Sequence, residues 1–335
     1  MKKIQHKANI TGVGHYLPEK VLTNQDIEKM VDTSDDWIQS RTGIRERRIV
    51  QSGEASAKMA TNAVNNLMEQ YALSAGEIDT IIVATITPDM MFPSTAALIQ
   101  KNIKAKNSWG YDLSAACSGF LFALQSGASL IISGHSKKVI VIGVDTMSSI
   151  LDFTDRNTCI LFGDGAGAVL LEPSDEYGIM DSELRIDGEG AKYLNMPAGG
   201  SLQPATVETV NNKLHYVRQD GKTVFKYAVK EMVNITRQVA LRNNLSNNDI
   251  DLFIPHQANK RIIDAAAKKL GLKDSQVMVN IDRLANTTSA TLPICISEAT
   301  KNNLLNKGDN VLLSTFGAGF SWGATYIRWG MSTYD

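Results

Sequence analysis

Continuous apolar runs alternate along the chain with segments of helical period. Residues 81–86, IIVATI, and 139–144, VIVIGV, are uninterrupted and rich in β-branched residues, the pattern of strands covered on both faces. Between them, GFLFALQSGASLIISG (119–134) is apolar nearly all round and closes on Gly134, which predicts a helix buried between sheets. DLFIP (251–255) predicts another strand. The segment QANKRIIDAAAKKLGL follows it as a helix with Ile262, Ile263, Ala266 and Leu270 on one face and Gly271 as its stop. Strands alternating with helices predict an α/β fold.

The pattern occurs twice. LSAGEIDTIIVATITPD begins at Leu73 and LSNNDIDLFIPHQAN at Leu245, an offset of 245 − 73 = 172. GDGAGAVLL (163–171) is echoed by GFSWGATYI (319–327), at 319 − 163 = 156, so the second copy is shorter by 172 − 156 = 16 residues between these marks. Two matches in the same order predict a duplicated βα unit. The boundary falls near Glu172-Pro173-Ser174-Asp175-Glu176, where charge and proline interrupt the pattern, giving halves 1–173 and 174–335.

Duplication implies a pseudo-two-fold axis. In DLSAACSGFLFAL (112–124), Cys117 follows a strand; in the second copy ANTTSATLP, holding Asn286, takes the comparable place (286 − 117 = 169). Cys117 and Asn286 are therefore expected to face each other across the axis. His256 follows DLFIP directly. All three fall at strand ends or helix starts, where open α/β sheets place their ligand crevices.

Cys117 is rimmed by Ser114, Ala115, Ala116, Ser118 and Gly119, small residues that let a ligand or another backbone come close. At a helix start, the dipole and unpaired N–H groups would favour its thiolate. Taken singly, each residue has a plainer account. Cys117 could be an inert buried thiol, His256 a satisfied histidine at a helix start, and Asn286 an N-cap. Taken together they form a chemical set: a thiolate that attacks a carbonyl and holds an acyl group, with an imidazole and a carboxamide that donate to an oxyanion. The same three residue types also suit a cysteine hydrolase.

Composition narrows the classes. The chain has 335 residues, 43% hydrophobic and 21% charged, with net charge −1, which suits a globular protein with no general pull toward nucleic acid or membrane. Cys117, Cys159 and Cys295 are too widely spaced for a disulfide framework or a metal site. The opening MKKIQHKANITGVG has no apolar core like that of a signal peptide, and no apolar run is long enough to span a bilayer, so a cytoplasmic protein is expected.

The segments DDWIQSRTGIRERRI (35–49), AACSGF (115–120), FGDGAGA (162–168), IPHQANKRII (254–263), ANTTSATLP (285–293) and FGAGFSWG (316–323) together resemble the third class of β-ketoacyl-acyl-carrier-protein synthases. These are the initiating condensing enzymes of bacterial fatty-acid synthesis, in the thiolase superfamily. The resemblance implies thiolase-like duplicated αβαβα layers, with two mixed or parallel sheets around buried helices. It also implies a homodimer without metal or redox cofactor, using coenzyme A thioesters as substrate and product. FGDGAGA lacks the Lys-Ser/Thr of a phosphate loop and reads as tight backbone packing.

By the same resemblance, Cys117 is the acyl-accepting nucleophile, and His256 and Asn286 assist decarboxylation and stabilise the enolate. The backbone N–H groups of Cys117 and Ala318 form the oxyanion hole. Ala318 stands where most relatives have glycine, and Leu284-Ala285 where relatives often carry an aromatic residue and a glycine. Trp37, Arg41 and Arg156 match positions that hold the nucleotide end of coenzyme A, an indole stacking on adenine and guanidinium groups pairing with phosphates; otherwise they read as a core tryptophan and solvated arginines. Asn259 matches a pantetheine-side position and Phe316 an aromatic residue beside the cysteine. Phe92, otherwise a core residue, matches one that reaches the partner subunit's acyl pocket.

The implied reaction is a decarboxylative Claisen condensation of an acyl-CoA primer with malonyl-acyl-carrier protein, giving 3-oxoacyl-acyl-carrier protein, CoA and CO2. A related acyltransferase or condensing enzyme of secondary metabolism is the near alternative. A non-catalytic partner subunit is disfavoured, since it would be expected to lose Cys117. The primer is left open. Arg261 and Lys268 lie two helical turns apart on one face with Lys269 adjoining, and Lys226 matches a further basic position. They are expected to dock the acidic acyl carrier protein, the plainer account being a solvated helix face.

Overall fold

Two sheets and two buried helices organise the chain. The first sheet runs, in spatial order, Lys7–Tyr16, Gly165–Ser174, Val139–Asp145, Thr80–Ala84 and Trp109–Leu113. Its last three strands are mutually parallel and its first two join antiparallel. The second sheet runs Leu252–Pro255, Asn310–Gly317, Ser321–Arg328 and Gly178–Ile186. Only its first pair is parallel. The computed structural model describes residues 7–332, so the first six residues of the segment read for a targeting signal lie outside the described residues.

The predicted apolar helix forms as Gly119–Ile132, with Gly134 at φ +74 just past its end. It packs against strands of both sheets, and Thr291–Lys301 lies beside it in the same layer. The two helices begin 291 − 119 = 172 residues apart, the offset read from the sequence. Phe120, Leu124, Leu292 and Ile296 interleave there with Ile82, Val141, Ile254 and Leu313 from the two sheets. Ser56–Gln70 covers the first sheet's outer face, and Gly221–Arg242 with Lys260–Leu270 the second's. The result is the expected αβαβα layering. Every residue of Thr80–Ala84 and Val139–Asp145 is buried, as continuous β-branched runs require.

Two details differ from the sequence pattern. The strand read as 81–86 stops at Ala84, because the Thr85 hydroxyl and Ile86 N–H turn onto the Asp145 carboxylate. Among the described residues, the second half also lacks an edge strand. Trp109–Leu113 corresponds at the offset to residue 109 + 172 = 281 onward, where the chain forms the helical turn Ile281–Leu284. The residues after that turn pair with the first half instead: Asn286 N–H donates to the Leu161 carbonyl and Gly163 N–H to the Asn286 carbonyl, both at 3.0 Å. FGDGAGA packs as expected. An added Cβ at Gly163 would lie 2.6 Å from the Leu284 carbonyl oxygen, and one at Gly167 2.7 Å from the Ile294 nitrogen.

Candidate active site

Cys117 sits in the single turn Ala116–Ser118 that runs into the buried helix. Ala116 enters it at φ +47, a left-handed conformation that a non-glycine residue adopts only when its surroundings hold it. The small rim works at close range. A Cβ on Gly317 would lie 2.9 Å from the Cys117 nitrogen, Ser118 donates its hydroxyl to the Ser321 carbonyl, and Ser321 donates to the Ala115 carbonyl. Burial pushes the Cys117 thiol up to about 12, the Asp145 charge adds to it, and the Cys117 N–H and Asn286 amide only oppose it. The expectation of a dipole-favoured thiolate is thus corrected: desolvation outweighs the helix start, and the resting group is a neutral thiol.

His256 follows Pro255 at the end of its strand, its N–H donating to the Ser314 carbonyl at 2.8 Å. The ring is 1% exposed, and neither nitrogen has a hydrogen-bond partner among the described residues. Burial lowers its pKa to about 3, so the imidazole is neutral. Asn286 accepts the Thr288 N–H on its amide oxygen at 2.9 Å. Its NH2 is thereby left to donate, and the amide lies within reach of Cys117. Gln257 escaped the sequence reading. Its amide donates to the Pro255 and Met278 carbonyls and accepts from the Asn280 and Ile281 N–H groups, tying the His256 loop to the turn before Asn286. The one available signal was a polar residue beside His256 at the end of a buried strand.

Cys117, His256 and Asn286 line one cavity of about 620 Å3, which runs outward past Phe316, Asn259, Arg261 and Arg41 to Trp37. The half-buried Trp37 is flanked by the guanidinium groups of Arg156 at 5.1 Å and Arg41 at 6.0 Å from its ring centre. Asn259 caps the helix Lys260–Leu270 through the Arg261 N–H and donates to the Arg41 carbonyl at 3.0 Å. Phe316 is buried against Phe320, ring centres 4.8 Å apart. A second chamber of about 380 Å3 opens on the other side of Cys117, walled by Ile86, Met147, Ile150, Phe162 and Val217 and bordered by Ala318. Ala318 keeps a negative φ, so its methyl brings no left-handed strain. Ala285 does take a glycine-like conformation, φ +56 and ψ −155.

Other expected residues lie at or beyond the cavity mouth. Phe92 is 84% exposed and lines neither cavity, which removes the core reading. Lys226, Arg261, Lys268 and Lys269 are exposed on two helices that pack against each other, with the Arg261 guanidinium 5.4 Å from the Phe225 ring centre at the cavity mouth. Among the described residues no helix is long and apolar enough to cross a membrane, and no group of three or more His, Cys, Asp or Glu could hold a metal ion.

Duplicated layers around two buried helices, with a cysteine leading into one of them, define the thiolase-like class of acyl-transferring enzymes. Residues 111–188 match the family model for 3-oxoacyl-[acyl-carrier-protein (ACP)] synthase III, and residues 241–329 match the model for its C terminal part. Among curated proteins, the beta-ketoacyl-[acyl-carrier-protein] synthase III of Chlorobaculum tepidum is 53% identical over 327 residues, covering 96% of this chain and 99% of that protein. That of Koribacter versatilis is 52% identical over 326 residues, 96% and 98% of the two chains. The crystal structure of 3-oxoacyl-[acyl-carrier-protein] synthase III from Aquifex aeolicus matches with TM-score 0.90 at 42% identity, covering 96% of this chain and 100% of that one. The chain belongs to the β-ketoacyl-[acyl-carrier-protein] synthase III family, the initiating condensing enzymes of fatty-acid synthesis, and is an acyltransferase of that condensing type.

Proposed function

We propose that the enzyme condenses an acyl-CoA primer with malonyl-acyl-carrier protein through an acyl-Cys117 intermediate. The observation that carries this reading is the convergence of Cys117, His256 and Asn286 on one cavity, with a tunnel to Trp37 on one side and an apolar chamber on the other. Acyl-CoA enters along the tunnel. Trp37, Arg41 and Arg156 hold the nucleotide end and Asn259 the pantetheine, while the acyl group passes Cys117 into the chamber. The thiol sulfur forms a bond to the thioester carbonyl, and the C–S bond to CoA breaks. The thiol proton leaves through neutral His256 to the departing CoA sulfur. The Cys117 and Ala318 N–H groups receive the oxyanion. Malonyl-carrier protein then enters and loses CO2, and the enolate oxygen is held by hydrogen bonds from His256 and Asn286. Its carbon forms a bond to the Cys117 thioester carbonyl and the C–S bond to Cys117 breaks, releasing 3-oxoacyl-carrier protein and a thiolate that takes a proton from solvent to restore the thiol.

The chemistry needs no metal or redox cofactor, because every step is an acyl transfer or a decarboxylation of a thioester. The halves 1–173 and 174–335 each supply part of the site. Lys226, Arg261, Lys268 and Lys269 receive the carrier protein at the tunnel mouth. The enzyme works as a cytoplasmic homodimer. Among the described residues, the edge strand Trp109–Leu113 pairs only with Thr80–Ala84, and Phe92 is free to reach a partner subunit's acyl chamber. Intact-mass spectrometry after mixing with acyl-CoA tests the first step: one acyl adduct per chain is expected, absent in Cys117→Ala. An adduct on Cys159 or Cys295 would overturn the assignment.

A further inference from the structure

The two halves can be compared residue by residue at the offset of 172. Ala116 at φ +47 corresponds to Thr288 at φ +56 (288 − 116 = 172), so both halves carry the same strained entry into a single helical turn. Cys117 then corresponds to Ser289 (289 − 117 = 172); the sequence pairing with Asn286 is three residues out of register (289 − 286 = 3).

What faces the two turns is exchanged. Opposite Cys117 stands Gly317, which leaves the space before the Cys117 N–H to a ligand, while Thr315 donates its hydroxyl to the Cys117 carbonyl at 2.9 Å. Their counterparts are Asp145 (317 − 145 = 172) and Gly143 (315 − 143 = 172). At Gly143 an added Cβ would lie 2.2 Å from the Ser289 carbonyl oxygen, and the Asp145 carboxylate occupies the Ser289 N–H at 3.0 Å. The second elbow is thus sealed by an internal carboxyl group, its pKa raised by burial with its hydrogen bonds opposing, where the first is open.

Asp145 is fully buried. One of its oxygens accepts from the Thr85 hydroxyl, the Ile86 N–H and the Thr87 hydroxyl. The other accepts from the Ser289 N–H and, at 2.6 Å, the Ser289 hydroxyl. A carboxylate suits this place because it only accepts; a carboxamide would turn an NH2 against other donors. The clamped turn is the one whose Thr288 N–H fixes the Asn286 amide oxygen. We propose that Asp145 is a positioning residue: by holding Ser289 it fixes the Thr288–Ala290 turn and, through Thr288, aims the Asn286 amide nitrogen into the Cys117 cavity. This rests on the reading of Asn286 as a donor in the malonyl half-reaction.

A double-mutant cycle tests it, with malonyl-carrier-protein decarboxylation and Cys117 self-acylation by acyl-CoA as separate readouts. Asp145→Asn is expected to lower the decarboxylation kcat about 10²-fold, the cost of misplacing a catalytic group by about 1 Å. KM for malonyl-carrier protein should stay as in the parent, and the self-acylation rate should not fall, since removing the Asp145 charge relieves one of the causes that raise the Cys117 thiol. Combined with Asn286→Ala, it should add nothing to the loss that Asn286→Ala causes alone. A parental kcat in Asp145→Asn, or multiplicative losses in the double variant, overturns the proposal while the reading of Asn286 stands. Parental decarboxylation in Asn286→Ala overturns that reading, and the proposal with it. If circular dichroism shows Asp145→Asn unfolded, Ser289→Ala replaces it in the cycle, with additivity again the overturning result.

Discussion

Gly317→Ala perturbs the nucleophile without touching its chemistry. The added methyl would sit 2.9 Å from the Cys117 nitrogen, 3.0 Å from its Cβ and 3.1 Å from the Ser118 nitrogen. Ordinary contact begins near 3.4 Å, so the two segments must part by about 3.4 − 2.9 = 0.5 Å. The neighbours are backbone and a short side chain, and neither has a flexible end that can swing away. Overpacking of this kind costs about 1–3 kcal/mol, which lowers the unfolding midpoint by a few degrees. The larger effect falls on rate. The methyl enters the space before the Cys117 N–H, the place of the oxyanion in the proposed mechanism, and a 1 Å misplacement costs about 10²-fold. Acylation of Cys117 by acyl-CoA, followed by stopped-flow mass measurement, should therefore slow by about 10- to 10²-fold. Gly188→Ala is the control, since its added Cβ meets nothing within 4 Å. A Gly317→Ala variant that acylates and melts like the parent would refute the claim that this close approach positions Cys117.

The resting thiol sets a pH signature: with its pKa pushed up to about 12, alkylation of Cys117 by iodoacetamide should keep rising through pH 7–10 without the plateau a low-pKa thiolate gives. The sign for stability follows from linkage. A thiol raised from 9.0 to about 12 contributes stability that is whole below pH 9 and lost as pH climbs through 12. His256, lowered from 6.5 to about 3, contributes stability that is whole above pH 6.5 and lost as pH falls through 3. His256→Gln should flatten the acid limb of denaturant midpoints; an unchanged slope would contradict the burial of a neutral ring. Val217→Phe narrows the second chamber and should cut kcat/KM most for the longest primers in an acyl-CoA panel, by about 10- to 200-fold per excluded methylene or two; a uniform loss would move the acyl group elsewhere. Lys268→Glu with Lys269→Glu should raise KM for malonyl-carrier protein and weaken its salt dependence, leaving self-acylation unchanged; equal loss in both would make the patch structural.

The layers, and the meeting of Cys117, His256 and Asn286 at one cavity, were legible because they are written in period and composition. IIVATI and VIVIGV announce buried parallel strands, the small rim of Cys117 announces close approach, and the 172-residue echo places the second half. What escaped depends on pairings across the fold. Asp145 follows an apolar run without any mark of its own, and its partners Thr85, Ile86, Thr87 and Ser289 are all distant in sequence. The register of Ser289 against Cys117 was missed because Thr-Thr-Ser-Ala carries no chemical mark, whereas the left-handed φ shared by Ala116 and Thr288 identifies it at once. The missing edge strand was invisible for the same reason, since Asn286 finds its backbone partners in the first half. The protonation of Cys117 was misread because the dipole is a local rule and desolvation a tertiary one.

The duplication also accounts for the division of labour in the site. Both halves build the same strained turn, which presents an N–H where a helix begins. Only the first elbow opens on the cavity, since Ser289 is buried and its N–H is taken. Asp145 fills the second with a carboxylate, and its charge then bears on the first, raising the Cys117 thiol further. On the proposal above, the sealed elbow serves the malonyl step by holding the Asn286 amide, while the Asp145 charge adds to the protonation of Cys117 that burial sets.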